Sequence, residues 1–152
     1  MIQRIQTIYL AAAALLSVVC LCMEIGVFSV DGFELAHEYN LWLVNFTGIR
    51  NFSTWPLFAV LLLSSAVQVY AIFKYTNRRL QARFCVFAIL LILGWYALYV
   101  AFALLLMPGT ADVKFVPGWP GVCPMASLVL TFLARRAIMA DEQLVRAADR
   151  IR

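Results

Sequence analysis

Apolar residues gather in four long stretches, at residues 5–28, 55–73, 84–107 and 115–134. Each can cross a hydrocarbon core of about 30 Å, which takes about 20 helical residues, so the pattern predicts four transmembrane helices. The third stretch, as long as the first, is the most aromatic. The fourth carries Pro117, Pro120 and Pro124 in its first half. Prolines remove backbone donors, so its outer end is expected to be irregular, with a regular helix from near Pro124. Beyond it, Ala137, Ala140, Leu144, Ala148 and Ile151 recur at steps of three or four. That spacing predicts an amphipathic tail over 135–152, continuous with the fourth helix. Glu142 precedes Arg146 by four residues, the favourable order for a helical ion pair. The one substantial segment between spans, 29–54, mixes acids with Trp42, Phe46 and Phe52. Such rings suit a segment lying on the headgroup layer.

Composition strengthens the membrane reading. Of 152 residues, 64% are hydrophobic and 13% charged, against about 45–50% apolar and about 25% charged in soluble domains. The length fits one bundle over 1–152 and leaves no room for a separate soluble domain. The net charge of +4 reports topology rather than nucleic acid, for which no fold or basic stripe is visible. Arg4 precedes the first span; Lys74, Arg78, Arg79 and Arg83 lie between the second and third; Arg135, Arg136, Arg146, Arg150 and Arg152 follow the fourth. The other two connections carry only Arg50 and Lys114, with Asp31, Glu34, Glu38 and Asp112. The positive-inside rule therefore predicts both termini and the 74–83 turn in the cytoplasm. The first span lacks an A-x-A-like site near 27–32, and Ser17, Val18 and Val19 do not suit a lipidated Cys20. It is expected to stay uncleaved.

Candidate chemistry is sparse. Cys20 and Cys22 sit near the outer end of the first span and Cys123 near that of the fourth, with Cys85 toward the opposite side. Cys-x-Cys on a helix points its sulfurs about 200° apart, unlike a redox Cys-x-x-Cys, so all four read as small hydrophobes. Glu24 is the one acid inside an apolar stretch, a functional candidate by default. It lies about 10 Å outward from the centre of its span near Ser17, which favours an interfacial acid over a transport carboxylate. Gln68, with Ser64 one turn away, and the pair Ser127 and Thr131 read as hydrogen-bonding glue between helices, and Ala11–Ala14 as a close-approach face. His37 with Glu34 and Glu38 forms one face if the loop is locally helical, although a metal site needs more ligands. No catalytic residue, cofactor or metal is expected.

Three motifs carry a resemblance. Met1-Ile2-Gln3-Arg4-Ile5-Gln6-Thr7, the turn at Tyr75 to Gln81, and the tail Ala134-Arg135-Arg136-Ala137-Ile138 with Asp141-Glu142, Leu144-Val145-Arg146 and Asp149-Arg150 resemble a four-span membrane family of Bacteroidota. That family is known only as domain of unknown function 4293. Met139-Ala140 stand where a plain version of its pattern is more basic. The resemblance implies the inner membrane of a Gram-negative bacterium and brings no activity, cofactor or catalytic residue.

The expectation is thus an all-α membrane protein: a four-helix transmembrane bundle, N-in and C-in, with the fourth helix extended into a cytoplasmic tail. The leading functional reading is a non-enzymatic subunit or accessory factor of a membrane complex. It would contact a protein partner and membrane lipids through Lys74, Arg78, Arg79, Arg83, Arg135, Arg136, Arg146 and Arg150. The alternative is a small homo-oligomeric transporter or channel with Glu24 or Gln68 lining a wet cavity.

Overall fold

The computed structural model describes residues 2–106 and 113–149. Four helices are long and apolar enough to cross a membrane: α1 (Ile2–Cys22), α2 (Trp55–Phe73), α3 (Arg78–Leu105) and α4 (Cys123–Asp149). They form a ring in which each packs on its two chain neighbours, and α1 closes on α4. Outward positions are apolar: Leu15, Leu90, Val100, Leu104 and Phe132 are exposed. The interior instead holds Ser17, Ser64, Gln68, Ser127 and Thr131, all fully buried. A soluble protein would not expose so continuous an apolar girdle, which accords with four helices apolar enough to cross a membrane.

The all-α expectation needs correction, because one end of the bundle carries a five-stranded antiparallel sheet of order β4-β3-β2-β1-β5. Its strands are β1 (Glu24–Val30), β2 (Phe33–Tyr39), β3 (Leu43–Asn45), β4 (Arg50–Asn51) and β5 (Val113–Pro117). The first apolar stretch, 5–28, therefore divides at Cys22. Ile25 and Phe28 are apolar because they face the bundle from a strand, where they are buried. β1 turns into β2 at Asp31 and Gly32, whose φ values of 49° and 85° suit the left-handed pair of a type I′ hairpin. The fourth stretch, 115–134, likewise divides. Its first residues belong to β5, a 3-10 turn follows at Trp119–Val122, and α4 begins at Cys123. That start agrees with the expectation from Pro124, which sits in the first helical turn, where its missing donor costs nothing. The tail continues α4 without a break to Asp149.

Sheet and bundle meet through buried hydrogen bonds. The Asn40 amide donates to the Cys20 carbonyl at 2.7 Å and accepts from the Trp95 indole at 2.9 Å. Its backbone carbonyl takes the Phe58 N–H at 3.2 Å. One buried side chain thereby adds a second donor to a carbonyl at the end of α1, beside the Met23 N–H at 3.4 Å, and fixes α3. Tyr99 stacks on Trp95 with ring centroids 5.2 Å apart and donates to Ile25 O at 2.6 Å. Tyr96 donates to Gly121 O at 2.6 Å. Gly26 lies under the Phe115 ring, which a Cβ there would strike.

Asn40→Ala leaves the Trp95 donor unpaired in a dry interior and the Cys20 carbonyl with the Met23 N–H alone, which costs roughly 1–3 kcal/mol. Thermal unfolding in mild detergent should show that loss, whereas Asn45→Ala, an exposed side chain on β3, should stay within about 0.5 kcal/mol of wild type.

Candidate functional site

At the end of the bundle opposite the sheet, a four-residue turn, 74–77, joins α2 to α3. Asn77 caps α3: its side chain accepts from Leu80 N at 3.4 Å, and its carbonyl from Gln81 N at 3.0 Å. The cap sets Arg78 and Arg79 in the first turn of α3, beside the outgoing α4. Arg78 Nη1 lies 2.9 Å from Asp141 Oδ2 and donates to Asp141 O at 3.2 Å. Arg79 Nε donates to Glu142 Oε1 at 2.6 Å. Cations at a helix N-terminus oppose the helix dipole, so these acids relieve a local conflict while they tie the turn to the tail. The Arg78 pair is largely covered, whereas the Arg79 side chain is 67% exposed, and such exposed pairs contribute only about 0–1 kcal/mol.

The predicted cations thus separate into two sets. Arg78 and Arg79 are engaged within the chain. Lys74 lies with Nζ 5.4 Å from the centre of the Tyr70 ring, Arg83 and Arg136 are exposed, and Arg135 is half-buried. Arg83 and Arg135 join Arg79 around a groove of 260 Å³ between α3 and α4, floored by Ala82, Val86 and Met139. Arg150 and the Arg146 side chain lie outside the described residues, and with them the expected pairing to Glu142.

Of the tail's apolar stripe, Ala137 is half-buried, Ala140 and Leu144 do not face the bundle, and Ile151 and the Ala148 side chain lie outside the described residues. Ala134, Ile138 and Glu142 turn inward and are buried, whereas Ala140 and Leu144 point outward, Leu144 being 61% exposed. Val145 beside it is 45% exposed.

Of the two candidate intramembrane polar residues, Glu24 is not in a membrane helix. It opens β1, two residues past the end of α1, and its Oε1 lies 2.9 Å from His37 Nδ1 on the outer face of the sheet. Gln68 is buried in α2 and reaches across the bundle, donating from Nε2 to Ser127 Oγ at 3.0 Å and Thr131 Oγ1 at 3.1 Å. Ser17 Oγ meets Ser127 Oγ at 3.0 Å, so one cluster joins α1, α2 and α4, as the hydrogen-bonding reading anticipated. Ser64 donates to Ala88 O on α3 at 3.3 Å. Cys20, Cys85 and Cys123 are buried and Cys22 is exposed, all as free thiols.

The grouping of Glu34, His37 and Glu38 on one face also needs correction. His37 Nε2 lies 3.5 Å from Glu34 Oε2, but strand geometry turns Glu38 to the opposite, inner face. Among the described residues no cluster of His, Cys, Asp or Glu is placed to hold a metal ion. What the sequence reading missed is the burial of Glu38. The residue is fully buried between sheet and bundle, with neither carboxyl oxygen hydrogen-bonded, and burial pushes its pKa from 4.5 up to about 7. The signal was the alternation of Ala36, Glu38 and Asn40, which a strand brings to one face.

The chain belongs to the family defined as a domain of unknown function, DUF4293, which matches residues 2–151. No curated protein matches it.

Because the fold raises the Glu38 pKa, the folded chain holds its proton more tightly than the unfolded one between about pH 4.5 and about 7. This contribution to stability is full below that window, falls through it, and is gone above it, a change of roughly 3 kcal/mol. Glu38→Gln should flatten that part of the profile and raise stability at pH 8. Wild type and variant giving parallel melting curves from pH 5 to 8 would show that Glu38 does not titrate there.

Proposed function

We propose that this protein is a non-enzymatic subunit or accessory factor of a membrane complex. It resides in the cytoplasmic membrane of a bacterium with both termini in the cytoplasm, and it docks an acidic protein partner on the projecting tail. The observation that carries the reading is the outward stripe of α4. A helix anchored to its own bundle by Asp141 and Glu142 keeps Leu144 and Val145 exposed. An unpartnered apolar face on an anchored helix suits a groove-and-helix contact.

Charge supports the same partner. With Arg78 and Arg79 engaged, Lys74, Arg83, Arg135 and Arg136 remain around the tail's base, a basic rim for an acidic surface. The orientation rests on the same residues. The sheet end carries Glu24, Asp31, Glu34 and Glu38 against Arg50 and Lys114, while the tail end carries the arginines, which favours the tail end inside. The homo-oligomeric transporter reading has less support. Gln68, which would line its wet path, is fully buried and gives its amide hydrogens to α4.

Truncation after Gln143 keeps Asp141 and Glu142 and removes Leu144 and Val145. Purification in mild detergent followed by mass spectrometry should find a partner with the full chain and lose it with the truncated one. Retention of every companion protein refutes docking through the tail. For orientation, green fluorescent protein fused to the C-terminus should fluoresce, and alkaline phosphatase inserted at Asp31 and Gly32 should be active.

A further inference from the structure

On the other side of α3 from the basic groove, α1, α2 and the start of α3 enclose a cavity of 600 Å³. Its volume falls within the range of small-molecule sites, about 300–1,000 Å³. The lining is divided by chemistry. Ile8, Ile72 and Phe73 form an apolar wall, and Gln6, Arg78 and Gln81 form a polar end. Ile8 is 63% and Phe73 72% exposed, so the apolar wall opens laterally, on the surface that lipid would cover. Gln6 is 4% exposed, and its Nε2 has no hydrogen-bond partner among the described residues. A buried amide donor left unpaired is costly, and here it borders an open cavity. Arg78 contacts Asp141 through Nη1 alone, which leaves donors from a guanidinium that has five.

We propose that this cavity binds one anionic phospholipid from the surrounding leaflet. Its acyl chain lies along Ile8, Ile72 and Phe73, and its phosphate oxygens accept from Gln6 Nε2 and the Arg78 guanidinium. An amphiphile matches the divided lining. Charge complementarity selects an anionic one, because Lys74, Arg78, Arg79 and Arg83 outnumber Asp141 and Glu142 at this end. Lateral opening selects a bilayer lipid over a soluble anion. Gln6, Arg78 and Gln81 come from the two segments singled out in the sequence, 1–7 and 75–81, which the partner-docking reading leaves unused.

Native mass spectrometry of the full chain in mild detergent tests this, with phosphatidylglycerol, phosphatidylcholine and inorganic phosphate as separate probes. The expected result is one retained phosphatidylglycerol per chain, at least tenfold preferred over phosphatidylcholine. Gln6→Leu and Ile8→Trp should each reduce retention at least tenfold, and Arg136→Gln, away from the cavity, should leave it unchanged. Ile8 is exposed at the cavity mouth, so its variant reports on binding even where Gln6→Leu perturbs folding. Equal retention of the two lipids, full competition by inorganic phosphate, or a preference that survives Ile8→Trp overturns the proposal. A loss that appears equally in Arg136→Gln also overturns it, since that marks general surface attraction.

Discussion

The fold depends on one buried amide. Asn40 sits where β2 has ended and α2 has not begun, and it meets the end of α1, the middle of α3 and the first turn of α2 at once. A helix that stops at the edge of a membrane leaves carbonyls unpaired in a place where water is scarce. Asn40 gives the Cys20 carbonyl a donor beside the Met23 N–H and accepts the one polar hydrogen of Trp95. Because Trp95 is then held, Tyr99 stacks on it and reaches Ile25, and Phe115 closes over Gly26. The sheet is thus seated on α3 by a chain of contacts that begins at one residue.

This seating explains the unequal helices. α3, of 28 residues, spans about 42 Å, longer than the hydrocarbon core. Its sheet-end half carries Tyr99 against the strands. α4, of 27 residues, has its excess at the other end, where Asp141 and Glu142 hold the α2–α3 turn. Each long helix therefore braces a different connection, and the bundle's two ends have different characters: a hydrogen-bonded sheet at one, ion pairs at the other.

The four spans were legible because lipid demands long apolar runs, and α2 matches its predicted span of 55–73 residue for residue. The sheet was hidden by the same signal. Ile25, Val27 and Phe28 extend the apolar run of α1 past the single acid Glu24, and hydropathy does not distinguish residues facing lipid from residues facing protein. The marker that does is Asp31-Gly32, a hairpin pair flanked by alternating residues. The cations were legible as a set but not as individuals. Nothing in their spacing tells that Arg78 and Arg79 meet acids more than sixty positions on, in α4, while Arg83 and Arg136 stay outside. The apolar stripe of the tail was found, yet periodicity alone does not reveal which neighbour, if any, it meets.

Unpaired polar atoms occur at three depths, and their settings argue for different roles. Gln68 Oε1 is enclosed in the middle of the bundle beside donors already committed to Ser127 and Thr131. Its neighbourhood is a closed hydrogen-bonded cluster, and such clusters fix helix register. Glu38 is enclosed between sheet and bundle, where protonation at about neutral pH lowers the cost of burial. Gln6, of these three, borders an open cavity. A polar atom without a partner in a closed space is a cost the fold bears, whereas one beside an open, amphipathic space is relieved by whatever enters. The difference lies in the surroundings and not in the residue: Gln6 and Gln68 have the same side chain, and only the former has somewhere for a ligand to arrive from.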